Sequence, residues 1–198
     1  KDDTVTAKIG REYTIDLTKY ITASASDAPY TVIASGFAKG TVTNADNVLD
    51  SCEVKDGKLT YKLKNDSTLI GKTAAVSVTY TPEENTYNDV TFTITITAAQ
   101  VARTVTVNGM PTEAWFGDTL DKSKITLDVK HQDAEDKDKD KTVQATDASV
   151  TIAGDTFDKV DNVDVTVTYK AEDGQNYTST HTVKVKNFVK TIAVKTNP

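Results

Sequence analysis

A motif that begins at Tyr80 is repeated from Tyr169 onward, and this repeat constrains the fold more than any other feature of the chain. The two stretches read YTPEENTYNDVTFTITI and YKAEDGQNYTSTHTVKV. Each passes from its first tyrosine through an acidic, turn-rich loop to a second tyrosine, Tyr87 or Tyr177, and then alternates apolar and polar residues. Because successive side chains of a strand point to opposite faces, this pattern predicts a β-hairpin whose second strand closes a sheet. The sequence therefore predicts that one module occurs twice.

The predicted strands of these hairpins have a regular period of two. Residues 90–97 read VTFTITIT and direct Val90 and Phe92, like the two isoleucines that follow, to one face, with threonines on the other. Burial of each such side chain contributes about 1.5–3 kcal/mol before chain entropy is subtracted. The same alternation predicts further inward-facing residues at Ala74, Val76, Val78, Tyr80, Val163, Val165, Val167, Tyr169, Val183 and Val185.

A separate hairpin is predicted at residues 52–61, CEVKDGKLTY. The dipeptide Asp56-Gly57 favours a type I′ turn, which requires positive φ at both central positions. A two-residue loop sets Cys52 opposite Tyr61, with apolar pairs on one face and lysines on the other. This register assigns the single cysteine of the chain to the core and not to chemistry.

The chain as a whole lacks the apolar spacing of an amphipathic helix and is interrupted by glycines at short intervals, which is typical of an all-β sandwich. Residues 101–111, VARTVTVNGMP, align without gaps with residues 188–198, FVKTIAVKTNP. We therefore expect two modules at residues 1–99 and 100–187, with residues 188–198 forming a C-terminal strand or the start of a further module. The boundary contains no Pro or Gly, which favours a stiff, extended pair.

Composition narrows the range of partners. The formal net charge is -6 and the pI is about 5.0, so nucleic acid and anionic lipid are disfavoured by repulsion. No apolar run reaches the length of a membrane span, so membrane insertion is not expected. One cysteine excludes an intrachain disulfide, and a start at Lys1 without Met or signal segment indicates a piece of a longer protein.

The second half resembles bacterial immunoglobulin-like (Big-type) repeat domains of large Gram-positive cell-surface proteins. It reads GMPTEAWFGDTLDKSKITLDVKH before a charged loop and DVTVTYKAEDGQNYTSTHTVKV at its close. Five residues match the motif near the start of such repeats: Pro111, Gly117, Asp118, Leu120 and Asp121. The first half resembles the same class through YTPEENTYNDVTFTITIT. The loop at residues 132–141 departs from the usual short turn.

The resemblance implies two tandem immunoglobulin-like β-sandwich domains that are extracellular, either secreted or attached to the cell wall. It further implies a non-catalytic spacer or stalk whose partners are neighbouring domains of the same chain. The alternative function is an adhesin module that binds a polysaccharide or a host surface protein through aromatic residues at the loop ends. No cofactor is expected.

Residues 131–141, HQDAEDKDKDK, could in principle ring a calcium ion with aspartate oxygens. They lack the glycine and the terminal glutamate of an EF-hand loop, and the interleaved lysines would repel a cation, so we interpret them as a solvated hairpin loop. His131 ends a predicted strand and His181 precedes one, without zinc-ligand spacing. No nucleophile motif is present, so neither a metal site nor an enzyme is predicted.

The candidate ligand-binding residues are Trp115, Tyr87 and Tyr177. An aromatic ring at a loop end can stack on the C–H face of a sugar, and Trp115 beside Phe116 is the best single candidate. The competing interpretation makes AWFGD an edge strand with one of its two rings in the core. For Tyr87 and Tyr177 the competing interpretation is structural, with each tyrosine packing beneath the hairpin loop.

Overall fold

The computed structural model describes residues 2–22, 30–83 and 87–188 of the chain. Fourteen β-strands account for nearly all of its regular structure, which confirms the predicted all-β fold class. Within the described residues, helical structure is limited to short 3₁₀ turns. These turns are Leu17–Tyr20, Ala34–Gly36, Ser67–Leu69, Lys122–Lys124 and Ala134–Lys139.

The chain divides into two compact units, and each is an immunoglobulin-like β-sandwich. The first unit is Lys1–Val101 with Glu172–Gly174, and the second is Ala102–Ala171 with Gln175–Pro198. Each unit has its own hydrophobic core, and the two clusters of buried residues share no member. The C-terminal strand or further module expected at residues 188–198 lies, except for Phe188, outside the described residues.

The first unit packs a four-stranded sheet against a three-stranded sheet. Its strands are β1 (Asp3–Lys8), β2 (Glu12–Asp16), β3 (Phe37–Thr43), β4 (Leu49–Lys55), β5 (Lys58–Leu63), β6 (Thr73–Tyr80) and β7 (Val90–Ala99). The strand orders are β1-β7-β6-β3 and β2-β5-β4. All neighbours are antiparallel except β1 and β7, which run parallel. The first strand thus completes the sheet beside the last one.

The β4–β5 hairpin confirms the predicted turn and register. Asp56 and Gly57 have φ values of 48° and 70°, and Cys52 lies opposite Tyr61. Cys52 is half-buried against the first core, and this burial raises the pKa of its thiol. The two residues of the turn and the alternation of the flanking strands are sufficient to set this register.

The predicted alternation also holds in β6 and β7, where Val76, Val78, Phe92 and Ile94 are at most 1% exposed. The ring of Phe92 stacks on Tyr20 with centroids 5.2 Å apart. The strand extends to Ala99, beyond the predicted residues 90–97. One inward assignment is wrong: Val90 is 39% exposed, because it is the first residue of β7 and lies at the open end of the sandwich.

The second unit also contains a four-stranded and a three-stranded sheet. Its strands are β8 (Arg103–Asn108), β9 (Glu113–Trp115), β10 (Thr126–His131), β11 (Lys141–Gln144), β12 (Val150–Ala153), β13 (Asn162–Lys170) and β14 (Asn176–Lys186). The strand orders are β12-β13-β14-β9 and β11-β10-β8. Strand β14 begins at Asn176, so His181 lies inside a strand and not before one as predicted.

The repeated tyrosine motif corresponds to the β6–β7 and β13–β14 hairpins. In both units the closing strand of this hairpin pairs in parallel with a strand from the start of the unit, β1 or β9. The three-stranded sheets differ in where their hairpin lies along the chain. In the first unit β4 and β5 form it, and in the second unit β10 and β11 form it. The duplication predicted from the sequence therefore applies to the closing sheet and not to the whole strand order.

Candidate functional site

Trp115 ends β9, a short strand at the edge of the four-stranded sheet. Trp115 is 43% exposed and Phe116 is 47% exposed, so the prediction that one of the two rings lies in the core is wrong. The predicted edge position is confirmed, but the strand is Glu113–Trp115 and does not include the last three residues of AWFGD. Ala114 is the β9 residue that packs against the core, because side chains alternate along the strand. Phe157, at 2% exposed, supplies the buried aromatic ring instead.

The indole of Trp115 is held in place by Phe188. Their ring centroids are 4.7 Å apart and their planes differ by 14°, so the rings are stacked. Phe188 is itself 59% exposed and follows β14, the strand that pairs in parallel with β9. Stacking covers one face of the indole and leaves its other face and its edge for other contacts.

A cavity of about 420 Å³ lies beside Trp115, and we refer to it as the Trp115 cavity. Its lining residues are Gly109, Pro111, Glu113, Ala114, Trp115, Asp118, Thr119, Leu120, Asp121, Lys124, Phe157 and Lys186. The buried side chains of Leu120 and Phe157 give the lining an apolar part, and five charged side chains complete it. The cavity forms where the chain crosses from β8, in one sheet, to β9, in the other.

Backbone hydrogen bonds fix the loop after β9 beside the cavity. The N–H of Gly117 donates to the Phe157 carbonyl at 2.8 Å, and the N–H of Phe157 donates to the Asp118 carbonyl at 3.0 Å. The N–H of Leu120 donates to the Asp155 carbonyl at 2.8 Å. This ladder makes the cavity a preformed feature of the fold, which is typical of small-molecule sites.

The charged groups of the cavity are partly paired. Glu113 forms an ion pair with Lys186, and Lys124 Nζ lies 3.1 Å from Asp121 Oδ2. The N–H of Trp115 donates to Asp118 Oδ2 at 3.2 Å. The other carboxylate oxygen of Asp118, Oδ1, has no hydrogen-bond partner among the described residues.

The carboxyl group of Asp121 is held in its charged form. The Ser123 hydroxyl and the Lys124 ammonium hydrogen-bond to it and lower its pKa below the ordinary value of 3.8. At neutral pH Asp121 therefore presents an ionised acceptor beside the aromatic ring and the apolar side chains of the cavity.

The three candidate residues predicted from the sequence do not form one site. Tyr87 is half-buried and its ring packs against Tyr30 with centroids 5.0 Å apart. Tyr177 is half-buried in the other unit, 6.4 Å from the ring of Tyr169, and its hydroxyl donates to Gln175 at 2.6 Å. Both environments fit the structural interpretation, so Trp115 is the candidate that the cavity favours.

The acidic segment 131–141 is a mostly exposed hairpin loop, as predicted, but it buries one carboxylate. It connects β10 to β11 through the 3₁₀ turn Ala134–Lys139, in which Asp136 is only 1% exposed and lies 2.9 Å from Lys139 Nζ. His131 is 5% exposed, and its Nε2 accepts a hydrogen bond from Arg103 Nε at 3.1 Å. Lys137 donates to the backbone carbonyl of His131, and Lys139 pairs with Asp136 within the turn.

Asp140 anchors this loop by accepting a backbone hydrogen bond from the last residue of β10. The backbone N–H of His131 donates to its carboxylate at 2.6 Å and is the main cause of a pKa below the ordinary value of 3.8. Because the pKa of Asp140 is lower in the folded than in the unfolded protein, its charged form stabilises the fold. This stabilisation is complete above the unfolded pKa of about 3.8 and is lost as the pH falls through the folded pKa. We expect the free energy of unfolding of Asp140→Asn to fall less steeply below pH 4 than that of the original protein.

The measurement is urea denaturation of the second unit from pH 2 to 6, with Asp138→Asn as the matched control. Asp138 is exposed in the same turn and has no partner among the described residues. The pH dependence of Asp138→Asn is expected to match that of the original protein. An equal change in both variants would show that the anchoring hydrogen bond at Asp140 is not responsible.

Other reactive residue types are dispersed in the described part of the chain. No group of three or more His, Cys, Asp or Glu side chains there is arranged to hold a metal ion. His181 Nε2 lies 3.0 Å from the Ser179 hydroxyl on the same strand. No helix among the described residues is long and apolar enough to cross a membrane.

Comparison with known proteins gives structural neighbours only. No protein-family model matches the chain, and no curated protein matches it significantly. Solved structures that match include protocadherin gammaB7 EC3-6 (11% identity, TM-score 0.38, 94% of this chain and 47% of that one). Others are titin z1z2 in complex with telethonin (11%, 0.35, 94% and 94%) and the human desmocollin-1 ectodomain (13%, 0.29, 94% and 40%). The chain spans less than half the length of the protocadherin and desmocollin chains.

Only some of the charged residues of the Trp115 cavity can be predicted from the sequence. Asp118 and Asp121 belong to the motif that resembles bacterial immunoglobulin-like repeats, but as turn and core positions. Glu113 and Lys186 carry no local signal, since their ion pair joins residues that are 73 positions apart. The sequence predicts Phe188 in a C-terminal strand or at the start of a further module, and it gives no signal for the ring stack with Trp115.

Proposed function

We propose that the chain is a non-catalytic pair of immunoglobulin-like spacer modules in a secreted or cell-surface bacterial protein. The bacterial and extracellular parts of this proposal rest on the resemblance of Pro111, Gly117, Asp118, Leu120 and Asp121 to surface repeats. The modular part is supported by two self-contained cores and by the three residues, 100–102, that separate β7 from β8.

The observation that carries the proposal is the parallel pairing of the first and last strands in the first unit. Six consecutive residue pairs join β1 to β7, from Asp3 with Ile94 to Lys8 with Ala99. Tension on this unit enters at the start of β1 and leaves at the end of β7. Because the strands run parallel, the two pulls act in opposite directions along their axis and load the hydrogen bonds of the pair together.

An antiparallel terminal pair would instead open one hydrogen bond at a time under the same load. The parallel pair in the second unit is shorter, with three residue pairs between β9 and β14. A spacer that holds a distal domain away from a surface needs this resistance, since forced unfolding is governed by the unfolding rate. The geometry of β1 and β7 therefore supports a load-bearing role.

The terminal pair is tested by Val5→Pro. Val5 lies opposite Ile96 in β1, and Ile9 at the end of the pair donates its N–H to the Ala99 carbonyl at 3.0 Å. The period of two directs the Val5 N–H to the same side, and proline removes this donor. We expect the force at which the first unit unfolds, measured by single-molecule pulling on its ends, to fall markedly.

Thr41→Pro is the matched control. Thr41 is exposed and lies in the bulge of β3, at the opposite edge of the same sheet, where proline is best tolerated. Its unfolding force is expected to stay close to that of the original protein. If Val5→Pro left the force unchanged, or lowered it no more than Thr41→Pro, the load-bearing role would be refuted.

A further inference from the structure

We propose that the Trp115 cavity binds a neutral sugar ring of a glycan. This binding goes beyond the spacer function and does not depend on it, since the cavity belongs to the second unit alone and the load-bearing pair of β1 and β7 belongs to the first. Its volume of about 420 Å³ lies within the range of about 300–1,000 Å³ that small-molecule sites occupy.

The aromatic wall fits the C–H face of a pyranose. Trp115 is 43% exposed although it is a large apolar residue, and it lines the cavity. Phe188 stacks on one face of the indole at 4.7 Å and thereby fixes the orientation of the ring. A ring that is already oriented loses little side-chain entropy when a ligand stacks on it. Phe188 is thus a positioning residue for Trp115.

The remaining lining matches the hydroxyl groups of a sugar. Asp118 offers an oxygen that has no partner among the described residues, and Glu113 and Asp121 offer further acceptors. Lys124 and Lys186 add ammonium donors. Hydroxyl groups both donate and accept, so one ring can satisfy both kinds of group.

The charge of the cavity favours a neutral ligand. Three carboxylates face two ammonium groups, and two of the carboxylates are already paired with those lysines. A phosphate or a strongly acidic sugar would be repelled by the remaining carboxylate and by the overall charge of -6. The apolar side chains of Leu120 and Phe157 would be poorly matched by a small inorganic ion.

The only tryptophan of the chain is Trp115, so intrinsic emission reports directly on the cavity. The experiment titrates the whole chain with neutral hexasaccharides of the cello, xylo, manno, malto and N-acetylchito series, each up to 10 mM. We expect a saturable change of the Trp115 emission with at least one of them. Isothermal titration then gives the affinity of each variant, including the one that lacks the indole.

The key variants are Trp115→Ala and its neighbour Phe116→Ala. We expect Trp115→Ala to weaken binding about tenfold or more, because the stacking surface is lost. Phe116 is 47% exposed but does not line the cavity, so its replacement is expected to leave the affinity unchanged. Asp118→Asn keeps an acceptor for the Trp115 N–H and is expected to weaken binding several-fold, because a neutral amide is the weaker acceptor.

Three results would overturn the proposal. The first is the absence of a saturable emission change with every oligosaccharide of the set. The second is equal weakening in Trp115→Ala and Phe116→Ala, which would indicate a general apolar surface. The third is an emission change that depends on protein concentration alone, which would assign the cavity to a second copy of the chain. None of these results would affect the unfolding force of the first unit, so failure here is distinguishable from failure of the spacer function.

Discussion

Replacing Gly109 with Ala is expected to lower the free energy of unfolding of the second unit by about 2–5 kcal/mol. Gly109 has a φ of 79°, where a side chain costs about 1–2 kcal/mol. An added Cβ would also lie 2.1 Å from the carbonyl oxygen of Lys124, and this oxygen belongs to the backbone and cannot turn away. Relief of such an overlap by backbone shifts costs about 1–3 kcal/mol more.

Gly117→Ala separates these two contributions. Gly117 has a φ of 90° in the same unit, but an added Cβ there would meet no atom within 4 Å. We expect only the conformational cost of about 1–2 kcal/mol. Urea denaturation followed by circular dichroism would measure both variants, and equal destabilisation would show that the contact with Lys124 is not limiting. Because Gly109 lines the Trp115 cavity, Gly109→Ala is also expected to alter the emission of Trp115.

Replacing Phe92 with Ala is expected to destabilise the first unit by about 3–5 kcal/mol. Phe92 is 1% exposed, lies opposite Val78 in the middle of the sheet and stacks on Tyr20. The hydroxyl of Tyr20 donates to Asp3 at 2.6 Å, and burial together with Asp3 raises its pKa to about 12. Loss of the Phe92 ring would leave a cavity beneath Tyr20 and free this tyrosine from the core.

Val90→Ala on the same strand is the control, since Val90 is 39% exposed and its truncation is expected to cost less than about 1 kcal/mol. Because the two cores share no residue, Phe92→Ala should reduce hydrogen-exchange protection only in the first unit. Loss of protection in β13 and β14 to the same extent would contradict independent cores. A cost below about 1 kcal/mol for Phe92→Ala would contradict its central place in the packing.

The sequence determined those features that depend on neighbours along the chain. Asp56-Gly57 and the alternation around it set the β4–β5 register, and the period of two placed Val76, Val165 and their neighbours in the cores. The repeated tyrosine motif located the closing hairpin of each unit. These signals are local, because turn conformation and side-chain direction follow from a few consecutive residues.

The pairing of distant strands and the choice of the aromatic ring that enters the core depend on the packing of the whole sandwich. The parallel pairing of β9 with β14 brings Glu113 to Lys186 and turns Trp115 outward, while Phe157 fills the core. The burial of Asp136 within a highly charged loop likewise depends on the strands onto which that loop folds. A period of two shows that a strand has one buried face, but it does not show which other strand pairs with it. Pairing over long sequence separations is selected by the packing of the whole sandwich.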